Sequence, residues 1–466
     1  MYSYRGCGVT TGGTAVGRVA GFEGEIVRPG DTDYDVRRRV WNAMHDRRPA
    51  LIARCTSPQD VRAAIGHGRR EEMAIAVRAG GHSMPGHSTC DEGIVIDLRP
   101  MNAVRVDPVD RRATVQGGAL LGELDRATQR HGLVVPAGVV SHTGVAGLTL
   151  GGGVGRLMRR FGLTVDSLLR AQVVTADGRI LDASDAENPD LFWGIRGGGG
   201  NFGVVSECEF ALLERSELEI LATFHPLERA ADVLARGRQA MAAGAPEELL
   251  WTSFLRKAPP LPWIDPLLVG RLGIMSLIEW SGERARGRSL LEALHSELVP
   301  SAGSLQTVPF LEIQTMTDEI FAAGKRTYIK AGFAQELSDG LIEALCRCGA
   351  EVGSEFSQVE VLALGGAIRR VAPGATAFPH RDAAWLINLP GTWEDAVSDA
   401  EEIGWVRRSF AALEPHLTGG KYVNFMGEDE LVDSAGAYGA TLRRLQEVKR
   451  AYDPGNVFRL NQNVKP

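Results

Sequence analysis

A histidine set beside two glycines is the residue of this sequence best suited to chemistry. His82 follows Gly80 and Gly81 and precedes Ser83, so one side of its imidazole is open to a ligand. A neutral imidazole nitrogen is a competent nucleophile and proton carrier. A lone histidine in a loop is more often polar surface, so the sequence around His82 decides between these two interpretations.

Glycine is concentrated in clusters at and after His82. The chain has 56 glycines in 466 residues, above the usual level of about 7%, and the clusters cover residues 79–83, 144–155 and 197–203. Glycine-rich turns expose main-chain N–H groups that bind anions such as pyrophosphate. Neither the full dinucleotide-binding GxGxxG context nor a GxxxxGK[ST] motif occurs. The clusters favour one long ligand, for which FAD has the right shape; the alternative is a set of tight turns in a β-rich protein.

The composition excludes several classes of protein. The formal charge is −7 and no long basic run occurs, which disfavours nucleic-acid binding. The six cysteines lack the spacing of a disulfide framework or a zinc site, so we expect reduced thiols, no metal and a cytoplasmic location. The N-terminus lacks the apolar core of a secretory signal, and no stretch is long enough to span a membrane.

The hydrophobic pattern predicts elements that hold these clusters. Short strands are predicted at 50–54, 74–78, 94–98 and 112–116, and Ser57 and Pro58 predict the start of a helix. After residue 216 the glycine density falls, and predicted helices (227–243, 283–298, 339–349) accompany strands (249–256, 359–364, 384–389). A last amphipathic helix is predicted at 442–452.

Several motifs, in order, resemble those of the PCMH-type, berberine bridge enzyme-like oxidoreductases. They are residues 78–83 with 86–88, the cluster 144–155, the run 188–193 leading into 197–205, the motif 422–425 and the segment 449–458. The resemblance implies an α+β fold with a two-part PCMH-type FAD-binding domain and an α+β substrate domain containing an antiparallel sheet. The expected divisions are a loose tail (1–30), the FAD domain (31–215), the substrate domain (216–415) and a C-terminal segment that returns to the FAD domain (416–466).

The resemblance also implies the cofactor site. His82 falls on the position that binds the flavin 8α carbon, and Val140 stands where many relatives carry a second, cysteinyl link, so a singly attached FAD is expected. Thr143 and Leu148 fall where relatives admit oxygen. The implied cofactor-binding residues are Arg78, Ala79, Gly80, Gly81, His82, Ser83, Gly86, His87, Thr143, Gly144, Gly147, Leu148, Gly151, Gly152, Gly153, Gly155, Gly199, Asn201, Phe202, Gly203, Val204, Val205, Tyr422, Asn424, Asn461 and Asn463.

The expected activity is oxidation by hydride removal, with dioxygen as the electron acceptor. A substrate O–H or N–H then needs a base. Alternation along 358–362 places Gln358, Glu360 and Leu362 on one face, where relatives cover the flavin ring, so Glu360 is the expected base and Tyr422 its alternative or partner.

Two other functions remain open from the sequence. The first is oxygenation of a polyketide-type intermediate, and the second is a non-redox flavoprotein that acts as a cyclase or scaffold. The substrate is expected to be a small molecule of the secondary-metabolite type, bearing an alcohol, an amine or an activated C–H.

Overall fold

The computed structural model describes residues 18–430 and 433–466. Most of the expected loose tail, residues 1–17, lies outside the described residues. The strand β1 (Glu25–Val27) pairs with a neighbouring strand, and the Glu23 N–H donates to Asp60 Oδ1 at 2.7 Å. The expectation of a loose tail up to residue 30 is therefore wrong, because ladder and side-chain hydrogen bonds fix the chain from residue 23.

The first part of the chain forms two larger sheets, one two-stranded sheet and their covering helices. Its further elements are α1 (Tyr34–Arg37), β2 (Leu51–Arg54), α2 (Pro58–Arg70), β3 (Ile75–Arg78), β4 (Ile94–Asp97), β5 (Val104–Asp107), β6 (Arg112–Gln116), α3 (Leu121–Gln129), β7 (Leu133–Val134), α4 (Val145–Leu150), α5 (Met158–Phe161), β8 (Leu168–Val174), β9 (Ile180–Ser184), α6 (Pro189–Ile195), β10 (Val204–Ala211) and β11 (Leu213–Glu214).

The two larger sheets correspond to the two halves of the expected FAD-binding domain. One sheet has the order β1-β2-β4-β3, with β4 parallel to both β2 and β3, and the other is antiparallel with the order β5-β6-β10-β8-β9. The helix α2 connects β2 to β3, and the Ser57 side chain caps it by accepting from the Asp60 N–H, as the Ser57-Pro58 pair predicts.

The second part of the chain is built on one large sheet. Its elements are β12 (Glu217–Pro226), α7 (Ala230–Ala240), β13 (Leu249–Lys257), β14 (Leu272–Trp280), α8 (Arg284–Leu298), β15 (Ala302–Pro309), α9 (Phe310–Thr315), β16 (Arg326–Ala334), α10 (Asp339–Ala350), β17 (Val359–Ala363), α11 (Ala367–Arg370), β18 (Trp385–Trp393), α12 (Asp399–Leu413), α13 (Ser434–Tyr438) and α14 (Leu442–Tyr452).

This sheet is antiparallel throughout and has helices on one face. Its strand order is β15-β12-β14-β13-β17-β18-β16, and a core that includes Trp251, Leu291 and Leu345 fills the space between the sheet and α7, α8, α10 and α12. The opposite face is turned toward the glycine-rich loops. The expected α+β class with an antiparallel substrate sheet is thereby confirmed.

The C-terminal segment returns to the first part of the chain. The Lys449 ammonium, fully buried, donates to the Asn201 carbonyl, the Phe458 carbonyl and Asp453 Oδ2 at 2.7–2.9 Å. All three ammonium protons are thus satisfied, and the third glycine cluster is fastened to the end of the chain. Among the described residues no helix is both long and apolar enough to cross a bilayer.

Candidate active site

One large cavity lies between the glycine-rich loops and the free face of the seven-stranded sheet. All three glycine clusters, the sheet strands β13, β14, β16, β17 and β18, and the C-terminal residues 458–462 contribute to its wall. The space, including its open mouth, is about 2300 Å³. Its wall therefore joins all three glycine clusters to the free face of the sheet around one continuous space.

The first two glycine clusters touch each other through bare main chain. A Cβ atom on Gly80 would lie 2.3 Å from the Gly144 nitrogen, which is far too close for any side chain. Elsewhere the wall is backbone facing open space, because a Cβ on Gly147 or Gly200 would meet nothing within 4 Å. Such a surface presents N–H groups and leaves room for a ligand to lie against them.

His82 lines this cavity and is held on two sides. The Trp41 ring stacks on its imidazole with centroids 4.8 Å apart and an interplanar angle of 18°. Its Nε2 is 2.7 Å from His142 Nδ1. Burial and the neighbouring His142 lower the pKa of His82 to about 3, so the ring is neutral and its nitrogens keep a lone pair for bonding.

Glu360 lines the opposite wall, on β17. The predicted alternation is confirmed, because Glu360 and Leu362 line the cavity while Val359 and Val361 are buried in the core behind the sheet. Asn388 Nδ2 donates to Glu360 Oε2 at 2.8 Å. Burial raises the pKa of Glu360 to about 7, although this hydrogen bond and the charge of Arg156 oppose the rise.

Tyr422 is fully buried beside the second glycine cluster. Its phenol oxygen accepts hydrogen bonds from the Gly153 and Val154 N–H groups, each at 3.1 Å, and from Asn424 Nδ2 at 2.9 Å. Burial raises the pKa of Tyr422, with these three bonds opposing it. Asn424 also donates to the Leu148 carbonyl at 3.0 Å, which ties the motif 422–425 to the loop.

Comparison with known proteins agrees with this architecture. Residues 49–184 match the FAD binding domain and residues 421–465 match the berberine and berberine-like domain. An uncharacterized FAD-linked oxidoreductase of Bacillus subtilis is 32% identical, covering 95% of this chain and 97% of the relative. (R)-6-hydroxynicotine oxidase of Paenarthrobacter nicotinovorans is 31% identical, covering 96% of this chain and 97% of the relative.

A solved structure agrees as well. The crystal structure of 6-hydroxy-D-nicotine oxidase from Arthrobacter nicotinovorans superposes with a TM-score of 0.83 at 28% identity, covering 97% of this chain and 99% of that one. The chain belongs to the berberine bridge enzyme-like FAD-linked oxidoreductases. It is therefore an FAD-dependent oxidoreductase.

The residues present fit FAD. The cavity is lined by the glycine-rich main chain on the loop side and by the carboxyl groups of Glu279 and Glu360 on the sheet side. His82 also lies on its wall. Asn461, on the cavity wall, holds a buried side-chain oxygen that has no partner among the described residues, and a ligand donor can satisfy it. Bound FAD would be held by the three clusters, His82, Asn424 and Asn461.

The structure divides the expected cofactor residues of this oxidoreductase into two groups. Those on the cavity wall are Ala79, Gly80, Gly81, His82, Ser83, His87, Thr143, Gly144, Gly147, Leu148, Gly155, Gly199, Gly203, Val204, Val205, Tyr422, Asn424 and Asn461. Those away from the wall are Arg78, Gly86, Gly151, Gly152, Gly153, Asn201, Phe202 and Asn463.

The second group supports the loops instead. Arg78 Nη2 donates to Asp97 Oδ2 at 2.9 Å, and its other arm donates to the Arg37 carbonyl. The Asn201 amide bridges the Gly198 carbonyl at 2.8 Å and the Tyr438 hydroxyl at 3.2 Å. Side chains that hold a loop from behind and side chains that face the ligand look alike in sequence, because both lie within the same motif.

Sequence reasoning missed an ion pair across the cavity. Arg156 Nη1 donates to Glu279 Oε1; both side chains are buried, and both residues line the cavity. Glu279 Oε2, Arg156 Nε and Asn388 Oδ1 have no partner among the described residues. The available signals were the position of Arg156 directly after the second glycine cluster and a single acid in the apolar strand β14.

Proposed function

We propose that this protein is an oxidase that removes hydride from a carbon bearing an O–H or N–H group and passes the electrons to dioxygen. Its flavin is attached through His82 alone. The observation that carries the proposal is Glu360, a carboxyl group that lines the cavity with a pKa of about 7.

Glu360 is suited to act as the general base. A base works best when its pKa lies near the operating pH, and burial raises the pKa of Glu360 to about 7. Asn388 holds Oε2, which leaves Oε1 to receive the substrate proton. Bound FAD supplies the hydride acceptor and its reoxidation by dioxygen.

Tyr422 is better suited to position a ligand than to remove a proton. Three N–H donors already surround its oxygen, which has only two lone pairs, and burial raises its pKa. Its hydroxyl hydrogen has no acceptor in the part of the chain that the structure describes, so the phenol can donate to a ligand in the cavity.

The single attachment is supported by the residues around the cavity. Val140, where many relatives carry a cysteine, lines the wall, and no cysteine of the described residues does. Of the five described cysteines four are buried and Cys346 is half-buried, all of them reduced.

The cavity favours a substrate with an apolar body and several donors. Leu250, Phe254 and Leu277 supply apolar wall, whereas Glu279 Oε2 and Asn388 Oδ1 are acceptors with no partner in the part of the chain that the structure describes. A buried acceptor left unpaired costs about 1–3 kcal/mol. A hydroxylated or aminated aromatic molecule of the secondary-metabolite type would satisfy both needs.

The test combines attachment and turnover. Acid precipitation followed by peptide mapping should leave the flavin mass on the peptide containing His82, and free flavin in the supernatant would contradict the covalent link. Hydroxylated aromatic amines and alcohols, including 6-hydroxynicotine, should be tested for anaerobic bleaching of the flavin and for release of one peroxide per product.

Two results would favour the alternative functions. Incorporation of oxygen-18 from dioxygen into product in place of peroxide release would favour oxygenation. A product formed without flavin reduction would favour a non-redox cyclase or scaffold.

A further inference from the structure

We propose that His142 is the base that removes the Nε2 proton of His82 while the flavin becomes attached to it. This inference rests on the proposed covalent link and concerns a step that precedes turnover. Neither His142 nor the step belongs to the substrate chemistry assigned to Glu360.

The two histidines are arranged for transfer of one proton. His82 Nε2 and His142 Nδ1 are 2.7 Å apart, and the two ring centroids are separated by 4.7 Å. Two neutral imidazoles share such a bond only if one nitrogen donates and the other accepts. Trp41 stacks on His82 and its own Nε1 donates to the Phe321 carbonyl at 2.6 Å, so the His82 ring is fixed.

The contact with His142 leaves Nδ1 as the nitrogen of His82 that is free to attack. Within the described residues Nδ1 has no hydrogen-bond partner, whereas Nε2 is engaged by His142. When the proton is on Nε2 and is donated to His142, the lone pair is on Nδ1, which is then the nucleophile. The proposal therefore gives the donor role to His82 Nε2, since this is the tautomer whose Nδ1 can attack.

The proton has to leave as the new bond forms. Joining Nδ1 to the 8α carbon of the flavin makes the imidazole cationic unless Nε2–H is lost. Burial and the neighbouring His142 lower the pKa of His82 to about 3, so a cationic ring is strongly disfavoured at this position. His142 Nδ1, at hydrogen-bond distance, is the acceptor for this proton.

The balance of the step is complete with dioxygen as oxidant. One N–C bond forms, the imidazole N–H and one C–H of the 8α methyl group are broken, and two electrons pass to the flavin. Dioxygen then takes the two electrons and two protons and leaves as hydrogen peroxide. His142 carries the imidazole proton during this exchange and is neutral again at its end.

The loop around His142 is held from both parts of the molecule. The neighbouring Ser141 donates through its N–H to Asp318 Oδ1 at 2.8 Å and through its hydroxyl to Asp318 Oδ2 at 2.6 Å. The Gly122 N–H donates to the Ser141 carbonyl and the Leu121 N–H to the Thr143 carbonyl. These bonds hold the loop that places His142 beside His82.

The test separates proton transfer from orientation. His142→Asn keeps an acceptor for the His82 N–H but cannot take up its proton, and His142→Ala removes both. Each variant is purified with FAD, and the fraction that acid fails to release is followed in air over time. We expect full attachment in the wild type and attachment at least about 100-fold slower in both variants, since general bases contribute roughly 10²–10⁴-fold.

Controls make each result decisive. His67→Asn changes another buried histidine with an unpartnered Nε2, on α2 and away from the cavity, and should attach flavin at the wild-type rate. Wild-type attachment in His142→Asn, whether or not His142→Ala is slow, would overturn the role as base. A wild type from which acid releases all flavin would refute the covalent link itself, which is a separate failure.

Discussion

At the scale of single residues, two buried acids line the same cavity and differ in their surroundings. Glu360 has one neutral donor, Asn388, and a pKa of about 7, whereas Tyr422 has three donors on an oxygen whose pKa is raised by burial from a value already near 10. Only the pKa of Glu360 lies near neutral pH, where an enzyme commonly works. This difference in environment supports the proposal that Glu360 removes the proton and Tyr422 positions the ligand.

The Glu360→Gln variant tests that assignment. Wild-type kcat/KM should rise with pH through about 7 as Glu360 loses its proton, and Glu360→Gln should lower kcat roughly 10²–10⁴-fold and abolish this rise. Tyr422→Phe should keep the rise and lose about tenfold or less. A rise of kcat/KM with pH that persists in Glu360→Gln and is lost in Tyr422→Phe would show that the two roles are reversed.

Asn388 acts on the base and not on the substrate proton. Its hydrogen bond to Glu360 Oε2 stabilises the carboxylate and so lowers the pKa of Glu360 against the effect of burial. In Asn388→Leu the pKa should rise further, so the ascending limb of kcat/KM should move to higher pH while the rate at the plateau changes less. An unmoved limb with a uniformly lower rate would indicate a packing role only.

At the scale of elements, the sequence predicted those whose signals are local. The helix α14 has the predicted bounds Leu442–Tyr452, and the Ser57 cap starts α2 as expected. Strand β14 was missed because it is apolar along nearly its whole length, so no alternation reveals it. Strand β12 was missed although it alternates polar residues such as Glu219 and His225 with apolar ones. Both of their faces are covered, one by helices and the other by the cavity loops.

The same limit explains which site residues were missed. His82 and Glu360 belong to a motif and an alternating strand, so the sequence predicts them as site residues, and both line the cavity. His142 contacts His82 across 60 residues of sequence, and Arg156 contacts Glu279 across 123. Pairs of this kind depend on how the loops meet, which composition and spacing do not encode.

The contact between the first two glycine clusters can be broken by one methyl group. A Cβ on Gly80 would lie 2.3 Å from the Gly144 nitrogen, which is main chain and cannot yield. Gly80→Ala should therefore lose most bound flavin, measured as the ratio of absorbance near 450 nm (roughly the flavin band) to that of the protein. Gly66→Ala, inside α2 with only the Arg70 guanidinium nearby, should bind flavin normally; equal flavin content in both variants would contradict the close contact.

At the scale of the whole molecule, the two parts of the chain meet beside the cavity through a buried polar contact. Gln314 Nε2 donates to Asp125 Oδ2 at 3.3 Å and to the Gly138 carbonyl at 2.8 Å, and Gly138 lines the cavity. Asp125 Oδ1 has no partner among the described residues, and burial raises the pKa of Asp125 to about 7. The contact that fixes the cavity wall thus contains a carboxyl group that resists ionisation.

This contact predicts a stability effect that grows with pH. Because the pKa of Asp125 rises from 3.8 to about 7 on folding, its ionisation favours the unfolded state, and the penalty develops between about pH 4 and 7. Asp125→Asn should therefore raise the free energy of unfolding at pH 8, by up to a few kcal/mol, and change it little at pH 4.5.

A second buried aspartate should behave in the opposite way. Burial acts to raise the pKa of Asp60, but hydrogen bonds from the Glu23 and Thr56 N–H groups prevail and lower it. The Asp60 carboxylate therefore stabilises the fold above the pKa of the unfolded state, and this stabilisation is lost as the pH falls. Asp60→Asn should destabilise the protein at pH 8 and less so in acid, as measured by urea unfolding. If both variants destabilise the protein at pH 8, the ionisation of Asp125 does not oppose the docking of the two parts.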